Sequence, residues 1–276
     1  MTIDQQTREE PKKVLQEMEV HDQWVGHFRS AENEPFYDLA FDFIARQFGS
    51  DTAQPVVDAG CGTGVKSMHL ARRGYKVIGL DISDSILTQA AAAATKAGLQ
   101  KNIEFRRADL TDIDLPSQTA SRMICWGVLM HVPAIEKAVA ELSRLIAPGG
   151  TLIVSEGNVW SLQATTLRAL KRVFGRKSTE MVATPAGIEF WEDTASGRFM
   201  TRQANIPWLI REFERNGLQL EKRHAGQFSE IFTMLPWQPL RRAVHHFNNI
   251  WFKAIDLPGP AFGNLLVLRK PVATAK

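Results

Sequence analysis

Apolar positions along this chain alternate between two periods. Short β-branched or aliphatic runs bounded by turn residues end at Val56-Val57 and recur at Tyr75–Asp81, Asn102–Arg107, Arg122–Gly127 and Thr151–Ser155, and each predicts a strand. Between them the apolar residues fall at helical spacing, from about Val65 to Arg73, from Ser83 to about Ala97, and from about Ala134 to Ile146. The last of these puts Ile135, Ala138/Val139, Leu142 and Leu145/Ile146 on one face. Ser83 is a natural N-cap, Gly98 a natural stop, and Pro148-Gly149-Gly150 turns the chain into the fifth strand. Strands alternating with helices predict an α/β doubly wound parallel sheet, which takes its ligands at the carboxyl ends of the strands.

The flanks are less regular. Residues 1–20 are charged and read as a loose helix, and residues 21–49 mix polar groups with aromatics that include His21, Trp24, His27, Phe28 and Tyr37. Phe36, Leu39/Ala40, Phe43/Ile44 and Phe48 follow a first-turn proline, Pro35, near helical spacing. Beyond the fifth strand the pattern predicts a helix over 159–174 and a polar, irregular stretch to about Arg202. A helix over Pro207–Asn216 and a strand over Leu218–Arg223 follow. An aromatic-rich segment over 228–257 and a final strand over Phe262–Arg269 close the chain, which carries no internal repeat.

The stretch with the most chemistry is Val56-Val-Asp58-Ala-Gly60-Cys61-Gly62-Thr-Gly64. Three glycines in five positions between a strand and a helix let backbone approach a nucleotide closely. A nicotinamide or flavin fingerprint requires a further glycine where this chain has Val65. Asp58 would also repel a pyrophosphate, whereas a carboxylate there suits a ligand carrying an amino group and a sulfonium. The turn therefore favours S-adenosylmethionine over NAD.

The same residues resemble the first motif of the class I S-adenosylmethionine-dependent methyltransferases, of the small-molecule, ubiquinone-biosynthesis-like type. The resemblance continues in order through Gly79-Leu-Asp81-Ile82-Ser83, Ala108-Asp109-Leu110, Trp126-Gly127-Val-Leu-Met-His131 and Ala147-Pro-Gly-Gly150, and covers roughly residues 52–158. It implies a Rossmann-like, mostly parallel seven-stranded sheet with an antiparallel last strand and a helical or irregular cap. The implied division is an N-terminal helical cover over 1–50, a cofactor-binding core over 51–158, an insertion or cap over 159–205, and an edge hairpin with an aromatic-rich insertion over 206–276. It also implies that Asp58, Gly60, Cys61, Gly62 and Gly64 hold the methionine end of the cofactor, with Asp81 and Ile82 at the ribose. Asp109 and Leu110 would sit at the adenine, and Trp126, Gly127 and Tyr37 near the sulfur. Each has a plainer reading: Trp126 and Tyr37 as core, Cys61 and Cys125 as small buried hydrophobes, and Asp81 as a capping acid.

His131 is the candidate catalytic base, since an unperturbed imidazole pKa near 6.5 suits proton abstraction, and its plainer role is to hold the loop after the fourth strand. Trp24 and Arg29 in the cover, with Glu156 and Asn158 after the fifth strand, are candidate acceptor contacts. The ends of the fourth and fifth strands lack the Asp and Asp-Asn groups of metal-dependent catechol-type relatives, so no metal is expected. The expected reaction moves the methyl group to an oxygen or nitrogen of a small metabolite and leaves S-adenosylhomocysteine. The alternatives are a tRNA wobble nucleotide, which the basic run Arg168, Lys171, Arg172, Arg176 and Lys177 permits, and a catalytically silent cofactor-binding subunit. Composition bears on these readings only lightly. A net charge of +3 with the cations dispersed favours no nucleic acid, and two cysteines without metal-ligand spacing suit a reducing cytoplasm. No apolar run approaches the roughly 18 residues of a membrane span.

Overall fold

The computed structural model describes residues 11, 14, 32–173, 180–194 and 197–272. Trp24 and Arg29 lie outside the described residues.

Helix α1 (Glu34–Phe48) starts on Pro35 and buries Phe36, Tyr37, Ala40, Phe41, Phe43, Ile44 and Phe48. The core then alternates as β1 (Val56–Ala59), α2 (Val65–Arg72), β2 (Val77–Asp81), α3 (Asp84–Lys96), β3 (Ile103–Arg107), β4 (Ala120–Trp126), α4 (Ile135–Leu145) and β5 (Ile146–Gly157). Ser83 caps α3, accepting from the Ile86 N–H at 3.4 Å. After β5 come α5 (Leu162–Val173), β6 (Glu180–Thr184), β7 (Gly187–Thr194), β8 (Gly197–Ala204), α6 (Ile206–Arg215), β9 (Gln219–Ala225), α7 (Gln238–Ile250) and β10 (Gly263–Arg269).

Seven strands form one sheet in the order β3-β2-β1-β4-β5-β10-β9. β10 runs antiparallel to both of its neighbours, so β9 points the same way as β1 to β5. The expected parallel sheet with an antiparallel last strand is therefore present. Period-two alternation explains its two covered faces. On β4, Met123 and Cys125 join the layer packed under α4 and α6, while Ile124 and Trp126 face the layer under α1 and α2.

Two expectations are corrected. The fifth strand begins at Ile146, and Pro148-Gly149-Gly150 lie inside it as an irregularity in the pairing with β4 rather than as a turn before it. The stretch before Arg202 is not irregular: β6, β7 and β8 form a separate three-stranded antiparallel sheet. Its alternation escapes a hydrophobicity reading because the inward positions on β7 and β8 include an ion pair. Glu189 and Arg202 are cross-strand partners, both buried, with Arg202 Nη2 2.7 Å from Glu189 Oε1.

That pair ties the small sheet to the core. Arg202 Nη1 donates to the carbonyls of Leu129 (3.1 Å) and Val132 (2.9 Å), in the loop after β4. Replacing Arg202 by Ala leaves the Glu189 carboxylate buried without its cation and strips both carbonyls of their donor. The expected loss in chemical denaturation is about 3–5 kcal/mol, as for other broken buried pairs. A loss below about 1 kcal/mol, the worth of an exposed pair, would show that this contact does not hold the two sheets together.

Candidate cofactor and acceptor site

All three glycines of the turn have positive φ (Gly60 +78°, Gly62 +53°, Gly64 +76°). The surroundings of two of them differ. A Cβ on Gly60 would lie 2.5 Å from the Val128 side chain, so glycine lets the turn touch the loop after β4. A Cβ on Gly62 would meet nothing within 4 Å, which leaves an open backbone cradle at the start of α2.

Two carboxylates bracket this turn. Asp58 ends β1 fully enclosed and accepts from Ser67 Oγ at 2.6 Å. Burial pushes its carboxyl up to about 6, against the pull of the Ser67 hydroxyl and the Lys66 ammonium, and the neighbouring Asp81 charge adds to the rise. A buried acid in that state is stabilised by any ligand that brings positive charge beside it, so the donor set suits a sulfonium and an ammonium. Asp81 closes β2 and accepts from the Gly62 N–H (2.9 Å) and the Ser83 N–H (3.1 Å). It holds the cradle as well as facing it. Ile82, next along the chain, is half-buried.

Asp109, after β3, accepts from the Thr111 N–H (2.8 Å) and hydroxyl (2.7 Å), with Leu110 buried beside it. Cys61 and Cys125 are both buried with thiols held well above their ordinary range, chiefly by desolvation. Among the described residues no cluster of His, Cys, Asp or Glu could hold a metal. Trp126 ends β4 half-buried, stacked on Phe41 (5.6 Å, 14°) and tilted against Tyr37 (6.0 Å). Gly127 follows it at φ +66°.

His131 closes a 3-10 turn over Leu129–His131. Its Nδ1 lies 3.2 Å from the Met200 carbonyl and its ring stacks on Phe199 at 5.1 Å. Because a carbonyl only accepts, the neutral ring carries its proton on Nδ1. The imidazole thus bridges the loop after β4 to β8. Glu156 and Asn158 likewise brace their surroundings, while the second carboxyl oxygen of Glu156, Oε2, is buried without a hydrogen-bond partner. Glu156 Oε1 accepts from the amides of Val128 (3.2 Å) and Leu129 (2.9 Å), while Asn158 Nδ2 donates to Gly259 (2.8 Å) and Ala261 (3.3 Å) carbonyls. Burial pushes the Glu156 carboxyl up to about 8.

Two residues here stand outside the sequence motifs. Lys66 Nζ sits 5.7 Å from the centroid of the Tyr37 ring. Glu230 lies five residues past the carboxyl end of β9, on the same side of the sheet as the ends of β1 and β4, and its N–H donates to Gln163 Oε1 at 2.8 Å. Burial lifts its carboxyl to about 7 against the pull of Lys66, and its charge helps hold the Tyr37 hydroxyl well above the usual range. No pattern in the sequence marks either one: Lys66 reads as a surface position of α2, and Glu230 as a turn acid.

A family profile described as a methyltransferase domain matches residues 56–150. With the strand order and the turn after β1, this match identifies residues 56–150 as a methyltransferase domain, for which S-adenosylmethionine is the cofactor. The ubiquinone biosynthesis O-methyltransferase of Alkalilimnicola ehrlichii is 32% identical over 154 residues, covering 50% of this chain and 61% of that protein. The sterol 24-C-methyltransferase erg6 of Aspergillus fumigatus is 28% identical over 231 residues, covering 82% of this chain and 56% of that protein. The chain thus spans about three fifths of the length of these curated relatives. Among solved structures, the [4+2]-cyclase SpnF matches with a TM-score of 0.58 at 19% identity, covering 86% of this chain and 82% of that one. A geranyl diphosphate methyltransferase in complex with S-adenosylmethionine matches at 0.56 and 16%, covering 85% of each chain. These last two likenesses concern the fold alone.

Asp81→Ala is expected to weaken S-adenosylhomocysteine binding by about 2–4 kcal/mol, using about 1.5–3 per charged hydrogen bond and discounting for coupling. Because Asp81 also accepts from two backbone amides, the ligand-free protein should lose about 1 kcal/mol as well. Calorimetric affinity equal to wild type would remove Asp81 from the site. Glu156 gives a pH signature. Its folded carboxyl titrates near 8, above its ordinary value of 4.5, so its stabilising contribution is complete below about 4.5 and is lost as pH rises through 8. Glu156→Gln should flatten the melting temperature between pH 5 and 8 relative to wild type, and parallel profiles for the two proteins would refute the assignment.

Proposed function

We propose that the protein is a metal-independent S-adenosylmethionine-dependent methyltransferase that methylates an oxygen or nitrogen of a small-molecule acceptor. Asp58 with Gly60, Cys61, Gly62 and Gly64 receives the methionine end, Asp81 and Ile82 the ribose, and Asp109 and Leu110 the adenine. Trp126, Gly127 and Tyr37 face the sulfonium. The core over 51–158 carries the cofactor, and the segments 1–50, 159–205 and 206–276 close over the acceptor, with Trp24 and Arg29 in the first of them. The two buried, unbridged cysteines suit a cytoplasmic setting.

The observation that carries the oxygen-or-nitrogen reading is Glu230, a carboxyl near neutrality beside Tyr37 and Lys66. Methyl transfer from a sulfonium is an in-line displacement that needs alignment and exclusion of water. A hydroxyl or amine acceptor must also shed a proton, and a carboxyl poised near 7 takes it efficiently. His131 is the second candidate for that proton. Its bond to the Met200 carbonyl supports a holding role, although the tautomer leaves Nε2 basic. The name of the ubiquinone-pathway relative fits an oxygen acceptor, and that of the sterol relative a carbon acceptor.

The wobble-nucleotide reading rests on the basic run of α5. It is weakened because Arg168 is engaged by Gln203 Oε1 (2.9 Å) and the Val159 carbonyl (2.6 Å), which leaves Lys171 and Arg172 exposed. Arg176 and Lys177 lie outside the described residues. The silent-subunit reading draws on the fold likeness to a cyclase, since one fold hosts several chemistries.

The test is a screen of phenolic and amine acceptors, read as S-adenosylhomocysteine release, followed by variants. Glu230→Gln should keep S-adenosylhomocysteine affinity, lower turnover about 10²- to 10⁴-fold and lose the limb of the pH–rate profile near 7. His131→Asn should cost stability and keep that limb. If His131→Asn removes the limb instead, the base is His131. Turnover on neither acceptor class, with intact cofactor binding, would favour the silent subunit.

A further inference from the structure

Exposed apolar side chains are unevenly distributed over the molecule. Among the described residues twelve large apolar side chains are at least two-fifths exposed; Trp160, Leu162, Leu170, Met181 and Val272 are spread over other elements, whereas Met234, Trp237, Leu240, Phe247, Ile250, Ile255 and Leu257 all lie in the insertion between β9 and β10. On α7 and the π-helical turn that continues it (Trp251–Ile255), the exposed apolar positions fall at 240, 243, 247, 250 and 254, a three-four repeat that forms one stripe. The opposite face is spoken for. His245, Asn248 and Phe252 are buried against the domain, and Asn248 exchanges hydrogen bonds with Ser229 (3.1 and 2.8 Å). Within the stripe the Phe247 ring meets Phe228 at 5.3 Å and Trp251 at 5.7 Å and is still two-fifths exposed, so a stripe this rich in Leu, Phe and Ile keeps an uncovered outer surface.

The charges beside the stripe indicate what covers it. Arg242, His246 and Lys253 are exposed and follow one another along a single flank of the helix. From Gln238 to Ile255 there is no Asp or Glu. The nearest acids are engaged elsewhere: Glu32 pairs with Arg241 at 3.2 Å and reaches Arg242 only at 3.8 Å, and Asp256 pairs with His224 at 3.1 Å. An apolar stripe edged by cations, with Trp237 at its start, is the composition of a helix that lies in a bilayer interface. Its apolar side chains enter the acyl boundary and its basic side chains reach the headgroups. No helix among the described residues is long and apolar enough to cross a membrane, so the contact is superficial.

We propose that the outer face of α7, with Leu240, Phe247 and Ile250 as its apolar core and Arg242 and Lys253 at its edge, docks the protein on an anionic phospholipid surface. The site over β1 and β4 is not part of this face, and the inference does not depend on which acceptor is methylated.

Vesicle co-sedimentation of the full chain tests it. The protein should bind vesicles of phosphatidylcholine with phosphatidylglycerol at least about tenfold better than phosphatidylcholine alone, with most of the difference lost in high salt. Leu240→Glu with Phe247→Glu should abolish binding to both vesicles, and Arg242→Glu with Lys253→Glu should remove only the preference for the anionic lipid. In each double variant S-adenosylhomocysteine affinity and the melting temperature should match wild type, which separates loss of docking from misfolding. Three results would overturn the proposal. One is absence of wild-type binding to either vesicle. Another is unchanged binding by the Leu240/Phe247 variant. The third is a wild-type dimer that this variant dissolves without any vesicle binding, which would make the stripe an interface between copies of the chain.

Discussion

The seven residues from Gly127 to Pro133 are held from both ends, and the site depends on that grip. The Glu156 carboxyl takes the leading amides of Val128 and Leu129, and the Arg202 guanidinium takes the trailing carbonyls of Leu129 and Val132. Val128 is thereby pressed onto the glycine turn so closely that Gly60 has no room for a Cβ. Cofactor cradle, loop and small sheet become one unit, with His131 as an added tie through the Met200 carbonyl.

The price of this arrangement is a set of buried carboxyls. Asp58, Glu156 and Glu230 are all raised by desolvation, to about 6, 8 and 7. Their surroundings separate their roles. Glu156 is engaged through Oε1 by backbone amides, with Arg202 as a further cation, which suits a group that braces, while its Oε2 is buried without a hydrogen-bond partner. Asp58 and Glu230 share the influence of Lys66, and a positively charged ligand beside Asp58 would relieve it further. A single lysine of α2, invisible as a motif, therefore tempers both.

What was legible in the sequence follows from what is local. The glycine turn, the acid at the end of β2, the capped α3 and the apolar face of α4 each depend on residues within one or two turns of each other, and their patterns survive in one dimension. The three-stranded sheet was not legible because its inward face carries Glu189 and Arg202, so hydrophobic alternation fails where the ion pair substitutes for packing. The early start of β5 was hidden by Pro148-Gly149-Gly150, which reads as a turn but is accommodated by backbone bonds with Lys270, just past the end of the neighbouring β10. Lys66 and Glu230 meet across some 160 residues of chain, a distance over which one sequence carries no signal. Glu156 and Asn158 stand at the expected strand end, and the sequence does not show that they also brace the neighbouring loops, since a side chain there can hold its neighbour as readily as face a ligand.

The insertion between β9 and β10 links these features. Its first residues supply Ser229 and Glu230, its helix supplies the exposed apolar stripe, and Asn248 on the inner face of that helix bonds both the N–H and the carbonyl of Ser229. The backbone immediately before Glu230 is thus fixed by the same rigid element that presents Leu240 and Phe247 to solvent. A helix held at a lipid surface by its outer face loses freedom on its inner face as well, and the first group to feel that restraint is the loop carrying the carboxyl over Tyr37. The methyltransferase domain over 56–150 carries the glycine turn, whereas the insertion, through the bonds of Asn248 to Ser229, joins the residue before Glu230 to the helix with the exposed stripe.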